Sequence, residues 1–176
     1  MKTKTDPKVA ELAEAAAAGD SARVHALLDA GADPNGFNRH SKTALMKATG
    51  SGRESIVRLL LDRGADPNLK NSYGTTAIWI AVGKGKTAIA SLLLDRGADL
   101  NTQEPSGAGM PEPTGQTLLM LAASKNRAPV VRLLLERGAD VNARSDTGMT
   151  ALSCAAHFHH EAIIKRLKAH GAKGTP

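Results

Sequence analysis

The sequence contains few of the large side chains that usually close a globular core. Aromatic residues make up only 2% of the 176 residues, and they are Phe37, Tyr73, Trp79 and Phe158. Since aromatic rings dominate the cores of ordinary domains, this chain must pack with alanine and leucine instead. Apolar residues still make up 41% and charged residues 23%, which is ordinary globular usage and excludes disorder throughout.

Cysteines and long apolar runs are also scarce. Cys154 is the single cysteine, which excludes an intramolecular disulfide and a cysteine-based metal site. No stretch approaches the roughly 18 consecutive apolar residues that a membrane helix needs. Residues 1–20 alternate charges with alanines and lack the continuous apolar segment of a secretion signal. We therefore expect a cytoplasmic protein without membrane association.

Acidic residues are outnumbered by basic ones. The 23 Lys and Arg residues exceed the 17 Asp and Glu residues and give a net charge of +6. This balance favours an acidic partner and raises the rate of association with one. The basic residues are scattered and form no Lys/Arg block, so the sequence does not favour a nucleic-acid partner.

Two motifs recur along the chain with one shared period. The first motif is GADPN, GADLN or GADVN, shortened to GAK at the end, and it begins at Gly31, Gly64, Gly97, Gly138 and Gly171. The second motif has the form TALMKA and begins at Thr43, Thr76, Thr117 and Thr150. The spacing of both motifs is 33 residues, apart from one spacing of 41 that they share. The chain is therefore a repeat array with one insertion of eight residues.

Each repeat predicts two helices and a turn. Small apolar residues at helical spacing follow each threonine, and a Leu-rich run such as residues 56–61 follows a glycine-containing break. The glycine of each GAD motif stands where a left-handed residue ends a helix. No single unit can bury its own apolar face, so neighbouring units must stack.

These motifs resemble the ankyrin repeat over nearly the whole chain. The resemblance implies an all-α solenoid of stacked helix-turn-helix units with β-hairpin-like fingers. We expect one domain, residues 1–176, with approximate units 6–33 (N-terminal cap), 34–66, 67–99, 100–140 (with the insertion) and 141–173 (C-terminal cap). In the family, the fingers and first helices line a concave face that binds protein partners, and no cofactor is implied.

Two departures from the family pattern stand out. The family's usual histidine in the first helix is replaced by Met46, Trp79, Met120 and Ser153. Ser41 occupies the finger-turn position that is glycine in the later units, so a left-handed turn there would be strained.

Catalysis and metal binding are the weaker interpretations. Cys154 and His157 lie on one helical face, but a packing thiol explains Cys154 better than a nucleophile. His157, His159 and His160 cluster in sequence, yet His160 matches a structural histidine of the family and His159 replaces a glycine. We predict a protein that is not an enzyme and that has no metal or cofactor.

The candidate partner-binding residues lie on the fingers and the exposed side of the first helices. They are Arg39, His40, Lys42, Met46, Lys47, Tyr73, Trp79, Ile80, Lys84, Met110, Met120, Lys125, Met149, His157 and Phe158. Alternatively, Trp79 and Met120 only fill the space of the missing histidine. Met110 lies in the insertion, EPSGAGMPEP from Glu104, which is either a tolerated surface loop or an extended finger.

We therefore predict a monomeric protein-binding module with a basic groove that is apolar in the middle. Such a module would inhibit or assemble an acidic partner protein. The alternative is association with nucleic acid or another polyanion through the same groove.

Overall fold

The computed structural model describes residues 6–103 and 115–174, and these ranges contain ten helices. The helices are α1 (Pro7–Ala18), α2 (Ser21–Asp29), α3 (Ala44–Ser51), α4 (Glu54–Asp62), α5 (Ala77–Gly83), α6 (Thr87–Asp95), α7 (Leu118–Ser124), α8 (Ala128–Glu136), α9 (Ala151–His157) and α10 (Glu161–Ala169). The described residues form no strand, and Gln103 and Thr117 make an isolated antiparallel bridge. The predicted all-α repeat solenoid is confirmed.

The helices form two rows. Each odd-numbered helix packs against the next odd-numbered one, each even-numbered helix packs against the next even-numbered one, and the two helices of a pair pack together. One residue in each odd-numbered helix is almost completely buried between the rows: Leu12, Leu45, Ile78, Leu119 and Leu152. Because alanines surround these residues, neighbouring helices approach closely and a core forms with few aromatic rings.

The residue just before each odd-numbered helix caps the start of that helix with its side chain. The hydroxyl of Thr76 accepts a hydrogen bond from the backbone N–H of Trp79 at 3.3 Å, and Thr43, Thr117 and Thr150 act in the same way. At the start of α1, Asp6 accepts from Lys8 N at 2.9 Å, and Pro7 is the first helical residue. Each cap satisfies a backbone donor that the helix itself leaves unpaired.

Left-handed residues connect the elements. Most are glycines, but Ser41, Asn126 and His159 have φ angles of 55°, 56° and 57°. The strained turn predicted at Ser41 is therefore present, and His159 adopts the conformation of the glycine that it replaces.

None of the helices in the described ranges is both long and apolar enough to cross a membrane.

Candidate functional site

The candidate site is built on the odd-numbered helices and on the fingers, the loops that precede α3, α5, α7 and α9. We call the exposed part of these elements the first-helix surface. A buried side chain organises the tip of the finger before α3. Asn38 Oδ1 accepts from the backbone N–H groups of His40 and Lys42, both at 3.0 Å. This turn leaves Arg39, His40 and Lys42 exposed.

Five of the predicted partner-binding residues line one groove between α3 and α5. The groove has a volume of about 300 Å³. Its predicted members are Lys42, Met46, Lys47, Ile80 and Lys84, and Gly50 and Ser51 complete the lining. We call it the lysine groove. Three lysines thus line the groove together with a methionine and an isoleucine.

Two of the three lysines already have partners within the protein. The Lys84 ammonium donates to the carbonyl oxygen of Gly50 at 2.9 Å, at the end of α3. The Lys47 ammonium lies 3.3 Å from a carboxylate oxygen of Glu14, on α1. Lys42 forms no ion pair with any residue in the described ranges. The groove therefore combines three different cations. Lys42 is unpaired among the described residues, Lys84 lies at the C-terminus of α3, and Lys47 is paired with a carboxylate.

A second groove adjoins the first on the side of α1. It has a volume of about 320 Å³ and is lined by Ala10, Glu11, Glu14, Asn38, Arg39 and His40. Glu14 lines this groove while pairing with Lys47 of the lysine groove, so its carboxylate stands between the two. The groove next to α1 is therefore lined by two carboxylates, whereas the lysine groove is lined by three lysines.

Sequence reasoning missed Glu14. The first unit lacks the threonine motif, so no signal within that unit shows which residues of α1 are equivalent to those of α3. The repeat period provides the missing signal, because Glu14 and Lys47 are 33 residues apart and occupy equivalent positions in adjacent units. Equivalent positions in stacked units lie side by side. The predicted basic groove therefore has a carboxylate at its edge, on α1.

Two of the predicted contact residues belong to the core. Met46 and Met120 are only 2% and 1% exposed. A partner can therefore reach very little of either side chain, although Met46 lines the lysine groove. Trp79 is half-buried against the core. Met110 lies outside the described residues.

The remaining candidates are exposed but lie outside the lysine groove. Tyr73 is 48% exposed and Phe158 is 52% exposed, and Lys125 and Met149 are also exposed. The ring of Phe158 makes an edge contact with His157, with centroids 4.8 Å apart. His157 lines a further groove at the end of the stack, together with His159, Glu161 and Ile164. The predicted residues thus spread over the whole first-helix surface instead of forming one cluster.

His160 and Cys154, at this end of the stack, have surroundings that indicate structural roles. A ring nitrogen of His160 donates to the Ala123 carbonyl oxygen at 2.9 Å and so ties the last two units together. Cys154 is buried, and burial raises the pKa of its thiol. A thiol with a raised pKa is a poor nucleophile at neutral pH. Among residues 6–103 and 115–174, no group of His, Cys, Asp or Glu residues is arranged to hold a metal ion.

Comparison with known families identifies the class of protein. A family model described as ankyrin repeats (three copies) matches residues 12–104 and 104–175. The chain therefore belongs to the ankyrin-repeat family, whose members are generally protein–protein interaction modules and are typically non-catalytic. A search of curated proteins gave no match.

Proposed function

We propose that this protein binds an acidic segment of a partner protein on its first-helix surface, with the lysine groove at the centre. The observation that carries the proposal is that Lys42, Lys47 and Lys84 line one groove with Met46 and Ile80. Lysines beside apolar side chains suit a segment that presents carboxylates on both sides of an apolar side chain.

The exposed aromatic residues and fingers extend this surface beyond the groove. Tyr73 and Phe158 are two of the chain's four aromatic residues, and both are about half exposed. Exposed aromatic side chains supply rigid apolar contact area at interfaces. A partner that covers the groove and these rings would bury about 800 Å² on each side, which is a standard interface. The protein would then act by occupying the partner's surface, and so inhibit or assemble it.

A charge-reversal variant tests the role of the lysine groove. The probe is a fluorescein-labelled peptide of glutamate, leucine and alanine, and its binding is followed by fluorescence anisotropy at low salt. We expect Lys84→Glu to weaken binding about tenfold, because it replaces attraction by repulsion inside the groove. The matched control is Lys165→Glu, which makes the same charge change on exposed α10 and should leave the affinity nearly unchanged.

The outcomes separate protein binding from polyanion binding. Thermal unfolding of both variants checks that each is folded. Equal weakening by the two substitutions would show that only net charge matters and would overturn the proposal. Binding of a DNA duplex with a steep salt dependence, together with no binding of the acidic peptide, would replace it by nucleic-acid association.

A further inference from the structure

We infer that Glu14 is a specificity-determining residue, which competes with the partner's carboxylates for Lys47 and so limits how acidic a segment the lysine groove accepts. This inference rests on the proposed function, because it concerns the same groove. Under this inference, Glu14 is a negative charge that repels anions beside a groove that attracts them. Such repulsive elements commonly contribute to the choice of partner.

The geometry places Glu14 in the path of an incoming carboxylate. Its own carboxylate lies 3.3 Å from the Lys47 ammonium, and its side chain is 66% exposed. The Lys47 side chain is only 26% exposed, so few directions of approach to its ammonium remain open. A partner carboxylate that binds Lys47 must either displace Glu14 or accept a like charge beside it.

Because Glu14 is exposed, displacing its carboxylate from Lys47 costs a small but measurable free energy. Exposed ion pairs contribute between about 0.2 and 1 kcal/mol. Removing the competing charge should therefore strengthen the binding of an acidic segment by about 1.4-fold to fivefold. Lys42 and Lys84 have no such competitor among the described residues, so they would take the partner's carboxylates first.

Glu11 provides a matched control on the same helix. It also lines the groove next to α1, but its carboxylate is held by Arg23, at 2.5 Å, and not by a lysine of the lysine groove. Glu11→Gln and Glu14→Gln change the net charge equally. Only Glu14→Gln frees the ammonium of Lys47.

The experiment measures binding of the same acidic peptide to the intact protein and its variants by fluorescence anisotropy. We expect Glu14→Gln to bind about 1.4-fold to fivefold more tightly at low salt, and Glu11→Gln to bind like the unmodified protein. The gain should disappear in the Lys47→Met background and should shrink as salt screens the charges. A lysine-containing peptide of the same design should instead lose affinity for Glu14→Gln.

Two results would overturn the inference but leave the proposed function standing. One is an affinity of Glu14→Gln equal to that of the unmodified protein, while Lys84→Glu still weakens binding; the lysine groove then binds acidic segments without competition from Glu14. The other is equal strengthening by Glu11→Gln and Glu14→Gln, which would reflect net charge alone. If no variant binds the acidic peptide, the proposed function fails and the inference fails with it.

Discussion

At the scale of single residues, Thr49 places a hydroxyl group in the core. Thr49 is completely buried in α3, and its hydroxyl makes no hydrogen bond with any part of the chain that the structure describes. The equivalent residues in the next two units are Val82 and Ala123, which have no polar side-chain atom. A buried polar group without a hydrogen bond destabilises the folded state.

We predict that Thr49→Val raises the free energy of unfolding by about 1 kcal/mol, because it removes this unpaired hydroxyl and keeps the side-chain shape. Urea denaturation followed by circular dichroism measures the change. The matched control is Thr76→Val, where the buried hydroxyl caps α5; this variant should lose about 1 kcal/mol. A loss of stability in Thr49→Val would contradict the prediction.

At the scale of elements, asparagine side chains link successive fingers. Asn68 donates to the Gly97 carbonyl at 2.9 Å and accepts from Asp99 N at 2.8 Å. Asn35 and Asn142 make the same pair of bonds to the units that follow them. Each of these asparagines bonds to a glycine 29 residues further along.

The unit with the insertion breaks this series on the finger side only. Asn101 and Gly138 are 37 residues apart, and within the described ranges Asn101 forms no side-chain bond to Gly138 or Asp140. On the outer side, Arg137 still pairs with Asp95 at 2.9 Å. Helices α6 and α8 therefore stay in contact across this unit, whereas the asparagine link between units is missing among the described residues.

We predict that Asn68→Ala lowers the free energy of unfolding by about 1 to 3 kcal/mol, because two hydrogen bonds between units are lost. Asn101→Ala is the control in the same structural position, and it should cost less than about 0.5 kcal/mol. Urea denaturation of the two variants side by side is the measurement. Equal losses would mean that the asparagines act within their own turns instead of between units.

At the scale of the whole molecule, stability comes from stacking of neighbouring units, so an insertion is tolerated where it leaves the helix rows in contact. Deleting residues 105–112 restores the 33-residue spacing throughout. We predict that the shortened protein unfolds cooperatively with at least the stability of the full chain. Its Asn101 then stands 29 residues before the next GAD glycine, as the other asparagines do.

A second substitution makes this prediction specific. In the shortened protein, Asn101→Ala should lower the free energy of unfolding by about 1 to 3 kcal/mol, whereas in the full chain it should have little effect. Failure of the shortened protein to fold would contradict the prediction. An effect of Asn101→Ala that is equally small in both backgrounds would also contradict it, because the asparagine link would then not depend on the spacing.

Much of the fold could be predicted from the sequence because its signals are local and repeated. The threonine motif predicts where the first helix of each unit begins, and the GAD motif predicts where the second helix ends. The observed threonine caps recur with the predicted spacing. Part of the lysine groove could also be predicted, since repeat position alone assigns Lys47, Ile80 and Lys84 to the exposed side of the first helices. Repeat position predicted less well which of these side chains are buried: Met46 was expected on the surface but is 2% exposed.

The sequence by itself therefore determined the repeat architecture and the residues that the first-helix surface offers, because both depend on position within a unit. Only the tertiary structure decided which of those side chains a partner can reach. Met120 is buried and Lys47 is paired with Glu14, because burial and charge pairing depend on the neighbouring unit that packs beside each residue. Contacts between units are set by stacking, and a motif within one unit does not record them.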